Sequence, residues 1–199
     1  MSGKPHSQIL KILLKDFTVR QTINSLAKEV GLSRVGTWKL LKKMQSEELV
    51  ILSKISSGKT SAYIIGLNWD NPLVEKNLAL HLTEDALKSR RWVNNFAGLE
   101  DKVDFLILYG SMINSPLEAN DIDILGVVSN KKKFVKIEES VKNLQKTQMK
   151  KIHSINFTPS EFRQELEKPN KAFIDAIKKG VVLFGHEKFI KFMEGVVKK

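Results

Sequence analysis

Apolar residues recur at two spacings along this chain, and the change from one to the other marks out its elements. Ile9, Leu10, Ile12, Leu13, Leu14 and Phe17 crowd one short segment and predict a helix over 6–16. Ile23, Leu26, Ala27 and Val30 follow at helical spacing and predict a second helix over 22–30. Gly31-Leu32-Ser33 then stops and restarts the chain, because glycine suits the residue after a helix end and serine is a good N-cap. A third helix, to about residue 47, has an inward set of Thr37, Leu40, Leu41 and Met44. Its outward stripe is Arg34, Trp38 and Lys42, flanked by Lys39 and Lys43. Residues 49–55 and 60–67 read as strands around the turn Ser56-Ser57-Gly58-Lys59, which predicts a β-hairpin with a basic tip.

Asn68-Trp69-Asp70-Asn71-Pro72 is the clearest boundary, dividing the chain into domains 1–69 and 70–199. Asp70 or Asn71 caps, and Pro72 fits the first turn of one long connecting helix over 72–96; His81 within it is read as structural. Strands are predicted at 103–109, 122–128, 150–157 and 181–184, and helices at 131–148, 158–167, 172–179 and 187–197. The pattern as a whole predicts an α+β chain, the second domain a mixed sheet flanked by helices.

Composition adds three constraints. The chain has 199 residues, 42% of them hydrophobic, which suffices for one large domain or two small ones. It has no cysteine, which excludes disulfides and thiolate metal sites. It has no run of 18 apolar residues and no signal-peptide pattern, so a cytoplasmic protein with no membrane partner is expected. The net charge of +11 is unevenly spread: residues 1–69 carry eleven Lys/Arg against four Asp/Glu. Concentrated basic charge suggests a polyanionic partner.

The chemistry concentrates in one stretch. The apolar run 103–109 stops at Gly110-Ser111, nine residues intervene, and Asp121-Ile122-Asp123 opens the next apolar run. Alternate strand residues point the same way, so Asp121 and Asp123 present two carboxylates on one face. Two adjacent like charges are costly to hold, and a divalent cation removes that cost; Mg2+ usually takes one or two carboxylates plus substrate phosphates. Gly110 lets backbone approach a ligand closely, and the Ser111 hydroxyl can donate to a phosphate oxygen.

Apolar strand, Gly-Ser, short spacer, Asp-x-Asp and apolar strand together resemble the signature of the DNA polymerase β-like nucleotidyltransferase superfamily, its minimal members above all. The resemblance spans roughly 72–197. It implies that Gly110 and Ser111 hold an NTP triphosphate, ATP foremost, and that Asp121 and Asp123 bind Mg2+ (or Mn2+) and are catalytic. The acceptor it implies is a hydroxyl on a protein, a tRNA or a small molecule; in minimal members it is often a partner protein, such as a toxin. Two departures stand out. Relatives usually carry a third acidic residue on the strand after the crossover helix, whereas 150–157 has no Asp or Glu and His153 stands nearest that position. Relatives also often carry Arg or Lys in the spacer, whereas Asn114 and Ser115 are the polar candidates here.

Residues 6–67 resemble a winged helix-turn-helix, in which the third helix enters the DNA major groove and the hairpin touches phosphates. That resemblance implies DNA contacts from Ser33, Arg34, Trp38, Lys39 and Lys42 on the helix and from Lys54 and Lys59 on the wing. By analogy with such domains a homodimer is an expectation. Two functions follow: a Mg-dependent nucleotidyltransferase coupled to a DNA-binding domain, or a DNA-binding transcriptional regulator whose nucleotidyltransferase fold senses nucleotide or is inactive.

Overall fold

Three short helices open the chain, each ended by the residue that its geometry requires. They are α1 (Pro5–Lys15), α2 (Ile23–Val30) and α3 (Arg34–Ser46). The Thr22 hydroxyl accepts from the Ser25 amide at 3.2 Å while the Ser25 hydroxyl accepts from the Thr22 amide at 2.8 Å, a reciprocal cap that fixes the start of α2. Gly31, at φ 68°, closes α2 in the left-handed region. Ser33 caps α3 by accepting from the Gly36 amide at 3.0 Å. Strands β1 (Gln21–Thr22), β2 (Val50–Lys54) and β3 (Tyr63–Leu67) form an antiparallel sheet in the order β1-β3-β2. Pairing of Gln21 with Ile65 adds β1, a strand too short for periodicity to reveal. Ile9, Leu10, Leu14, Leu26, Leu41 and Met44 are fully buried within this unit.

The computed structural model describes residues 5–55, 62–168 and 170–198. The expected turn over 56–59, with Lys59, lies outside the described residues. The chain is mixed α+β and divides into two compact units, Met1–His81 with Met193–Lys199, and Leu82–Phe192. The expected boundary at 69/70 thus differs from the observed division, which falls inside a helix.

The expected single helix over 72–96 is two: α4 (Pro72–Lys88) and α5 (Arg90–Phe96), interrupted at Ser89 with φ −100° and ψ 30°. Val74, Leu78, Leu82 and Ala86 are buried along α4, and Trp92 and Phe96 are buried on α5.

The second unit is built on a four-stranded sheet of β4 (Phe105–Tyr109), β5 (Asp121–Val127), β6 (Lys151–Phe157) and β7 (Val181–Phe184), ordered β6-β5-β4-β7. β4 is antiparallel to β5 and to β7; β5 and β6 are parallel and joined through α7 (Lys133–Gln145). A four-residue helix, α6 (Ser111–Asn114), follows β4; α8 (Pro159–Glu167) and α9 (Lys171–Lys179) precede β7, and α10 (His186–Val197) follows it. Leu106, Leu108, Ile122 and Ile124 face a core completed by Trp92, Phe96, Leu99, Met112 and Ile137. On the opposite face Phe105 meets Phe189 and Phe192, each at 5.4 Å between ring centroids. Phe157 of β6 stacks on Phe162 of α8 and meets Phe173 of α9 edge-on. No helix among the described residues is long and apolar enough to cross a membrane.

Phe162 is the hub of the aromatic face, fully buried and stacked against both Phe157 and Phe192 at 5.5 Å. Phe162→Ala is expected to destabilise the second unit by about 3–5 kcal/mol in denaturant unfolding. A loss below about 1 kcal/mol would mean that the cluster is not packed as described.

Candidate functional site

The alternation along β5 converts a core face into a site within four residues. Val127 and Leu125 are buried on the aromatic face of the sheet, and Asp123 and Asp121 continue the same face toward solvent. The partners on the neighbouring strands are Tyr109, opposite Asp123 on β4, and Lys151 and His153, beside Asp121 and Asp123 on β6. Asp121, Asp123 and His153 are each partly exposed. His153 Nδ1 lies 3.3 Å from Asp121 Oδ2 and 3.4 Å from Asp123 Oδ1. Among the described residues these three form the one group of His, Asp or Glu ligand atoms that all lie within 4.8 Å of one another.

Electrostatics match that crowding. Partial burial pushes the Asp123 carboxyl above its ordinary value of 3.8, and the Asp121 charge pushes it further; the His153 hydrogen bond offsets part of the rise. Burial, with the charges of Asp123 and Asp121, likewise raises the Tyr109 phenol, so Tyr109 stays protonated. A cluster that makes ionisation costly is one that a cation relieves. The residues therefore fit a divalent ion: two convergent carboxylates, with an imidazole nitrogen completing the set.

Gly110 stands directly beside the Asp123 carboxylate, and Ser111 follows it in the chain. Gly110 has φ 78°, and a Cβ at this position would collide with the Asp123 carboxylate, so glycine is required twice over, by conformation and by space. Ser111 begins α6 and is exposed. Both line a cleft of about 360 Å³ with Tyr109 and Asn114 on one side and Ala172, Asp175, Ala176 and Lys179 of α9 on the other. That volume lies in the range of small-molecule sites. Ser115 is not among the lining residues, whereas Asn114 is.

Three contributors carry no motif. Lys179, paired with Asp175 at 3.3 Å, brings to the cleft a cation that the spacer lacks. Lys150 donates to the carbonyls of Pro116, at 2.7 Å, and Ala119, tying the spacer to the start of β6. Gln145, at the end of α7, accepts from the Ile152 amide at 2.8 Å and donates to the Lys150 carbonyl at 3.1 Å, which fixes where β6 begins and hence where His153 stands. The Lys150 and Gln145 contacts have no sequence signal, since each joins a side chain to backbone groups of another segment.

The predicted DNA-contacting residues all belong to the first unit. Arg34, Lys39 and Lys42 are exposed on α3 and Lys54 is exposed on β2, while Ser33 is engaged as the cap of α3. Trp38 does not stand outward with Arg34. Its ring is half-buried against Tyr63 of β3, 5.3 Å between centroids, and the Lys42 ammonium lies 5.1 Å above it. An indole next to a sheet gains more by covering that aromatic neighbour than by facing water.

Two substitutions test the geometry. Gly110→Ala is expected to weaken divalent-ion binding in a calorimetric titration, while Gly98→Ala, where an added Cβ meets nothing within 4 Å, leaves it unchanged. Equal binding by both variants would separate Gly110 from the site. A raised native carboxyl pKa means stability present below the ordinary value of 3.8 and lost as pH rises through the native pKa. Asp123→Asn removes that loss, so it is expected to raise the melting temperature at pH 7 in metal-free buffer, with the gain vanishing in acid. A destabilised variant at pH 7 would contradict the crowding.

Compared with family models, with curated proteins and with solved structures, the chain matches none, so the functional reading rests on the geometry of the site.

Proposed function

We propose that the second unit is a nucleotidyltransferase-fold domain that binds an NTP with a divalent ion and transfers its NMP to a hydroxyl acceptor. One observation carries this reading: Asp121 and Asp123 converge beside a positive-φ Gly110 and Ser111 that open onto a cleft of small-molecule size. Asp121 and Asp123 would hold the ion. When bound, the ion neutralises charge on the phosphates during in-line displacement at the α-phosphorus. The Ser111 hydroxyl would donate to a phosphate oxygen, and Lys179, released from Asp175, would balance the triphosphate charge. The acceptor oxygen bonds to phosphorus, the bond to the pyrophosphate oxygen breaks, and the hydroxyl proton passes to water. The cleft positions the reactants, and fixed charges stabilise what develops between them.

The first unit supports a winged-helix reading, three helices followed by two paired strands with Lys54 exposed on the first, and DNA as its partner. Arg34, Lys39, Lys42 and Lys54 would neutralise phosphates. This favours a regulator in which the nucleotide domain acts on, or is read out through, DNA binding. The lack of a third carboxylate on β6 leaves open a version of the second unit that binds nucleotide without turning it over.

ATP titrated by calorimetry with and without Mg2+ is expected to bind in an ion-dependent manner that Asp121→Asn/Asp123→Asn abolishes. Binding that survives in the double variant would sink the site. DNA binding is expected to fall steeply with salt and to drop on Arg34→Ala/Lys42→Ala, with each lost phosphate contact lowering the log–log salt slope by about 0.9. Unchanged affinity in that variant would remove α3 from the interface.

A further inference from the structure

We infer that His153 is the third protein ligand of the ion site and that it tunes the site toward a nitrogen-accepting cation of the Zn2+ and Co2+ class over Mg2+. The inference rests on the ion-binding reading above and names which ion this donor set selects. His153 comes to the carboxylates through the parallel register of β6 on β5, directly beside Asp123, and its Nδ1 faces both acids at once. Gln145 and Lys150 anchor the start of β6, so the place of His153 along the strand is built into the crossover.

The two His153–carboxylate separations of 3.3 and 3.4 Å place one nitrogen and two oxygens within reach of a shared ion. Ligand chemistry separates the two classes of ion. Mg2+ favours oxygen and keeps its waters, whereas imidazole suits zinc and its transition-metal neighbours. Two carboxylates and one imidazole leave a fourth position for a substrate oxygen, as an open catalytic site requires.

The alternative is that His153 holds the acids together by hydrogen bonds without binding metal. Geometry and a direct metal readout distinguish the two. The full chain is titrated with Co2+, whose visible absorption is intense in four-coordinate and weak in six-coordinate sites, and with Zn2+ and Mg2+ by calorimetry. His153→Asp supplies oxygen in place of nitrogen, His153→Gln removes the ligand, and Asp121→Asn/Asp123→Asn removes the acids; circular dichroism checks that each variant is folded.

The native chain is expected to give the intense four-coordinate Co2+ spectrum. His153→Asp should replace it with a weak one and lower the Zn2+-over-Mg2+ preference by about tenfold or more. His153→Gln should lose the intense spectrum as well. A Co2+ spectrum and a Zn2+/Mg2+ ratio unchanged in His153→Asp overturn the inference, as does a native chain that takes Mg2+ in preference to Zn2+. Either result leaves the carboxylate site standing if the Asp double variant still abolishes binding. Ion binding that survives in the Asp double variant overturns the site and the inference together.

Discussion

The antiparallel pairing of β4 with β5 is the constraint on which the second unit depends. Its register sets Tyr109 opposite Asp123 and Phe105 opposite Val127. A slip of one residue would exchange the faces of β5, carrying Asp121 and Asp123 into the core of Ile122 and Ile124 and turning those two out to water. Two unneutralised carboxylates in an apolar core are prohibitive, so the charges that serve the site also enforce the register that makes it. The same pairing carries β4 to its end at Gly110, the point where the turn must touch the Asp123 carboxylate.

The unit separates stability from chemistry along one sheet face. At one end Phe105, Phe157, Phe162, Phe189 and Phe192 interlock, and nothing polar is asked of them. At the other end the same face carries Asp123, whose ionisation is resisted by burial and by the Asp121 charge. Repulsion kept at a site is tolerable only where packing elsewhere is strong. Asp104 contributes a second, quieter anchor: it accepts from the amide and hydroxyl of Ser129 and from Lys188 at 2.9 Å, joining the ends of β4 and β5 to α10.

Much of this was legible in the sequence, and the reasons differ by element. Gly31 and Ser33 declare helix ends because caps are local chemistry, and each caps as read. The Asp-x-Asp spacing declares a shared face because strand geometry has period two. The break at Ser89 was hidden, since Ala86 through Phe96 reads as helical at every step. β1 was hidden because its two residues pair with a strand more than forty positions away. For Trp38 helical spacing gives a direction and not the neighbour; Tyr63 of β3 supplies one. Lys150, Gln145 and Lys179 reach the site through tertiary contacts, which no spacing encodes.

The mixed topology of the sheet divides assembly of the site in time. The β4–β5 partners are close in sequence, so Gly110, Asp121 and Asp123 meet through a local hairpin, a connection that closes early. His153 must wait for α7 to form and for β6 to dock in parallel, a non-local step with a larger loop to close. Before that step the nascent hairpin carries a bare pair of acids that only solvent and counter-ions screen. Docking of β6 brings the imidazole between them, so completing the sheet and relieving its most strained pair of charges are one event.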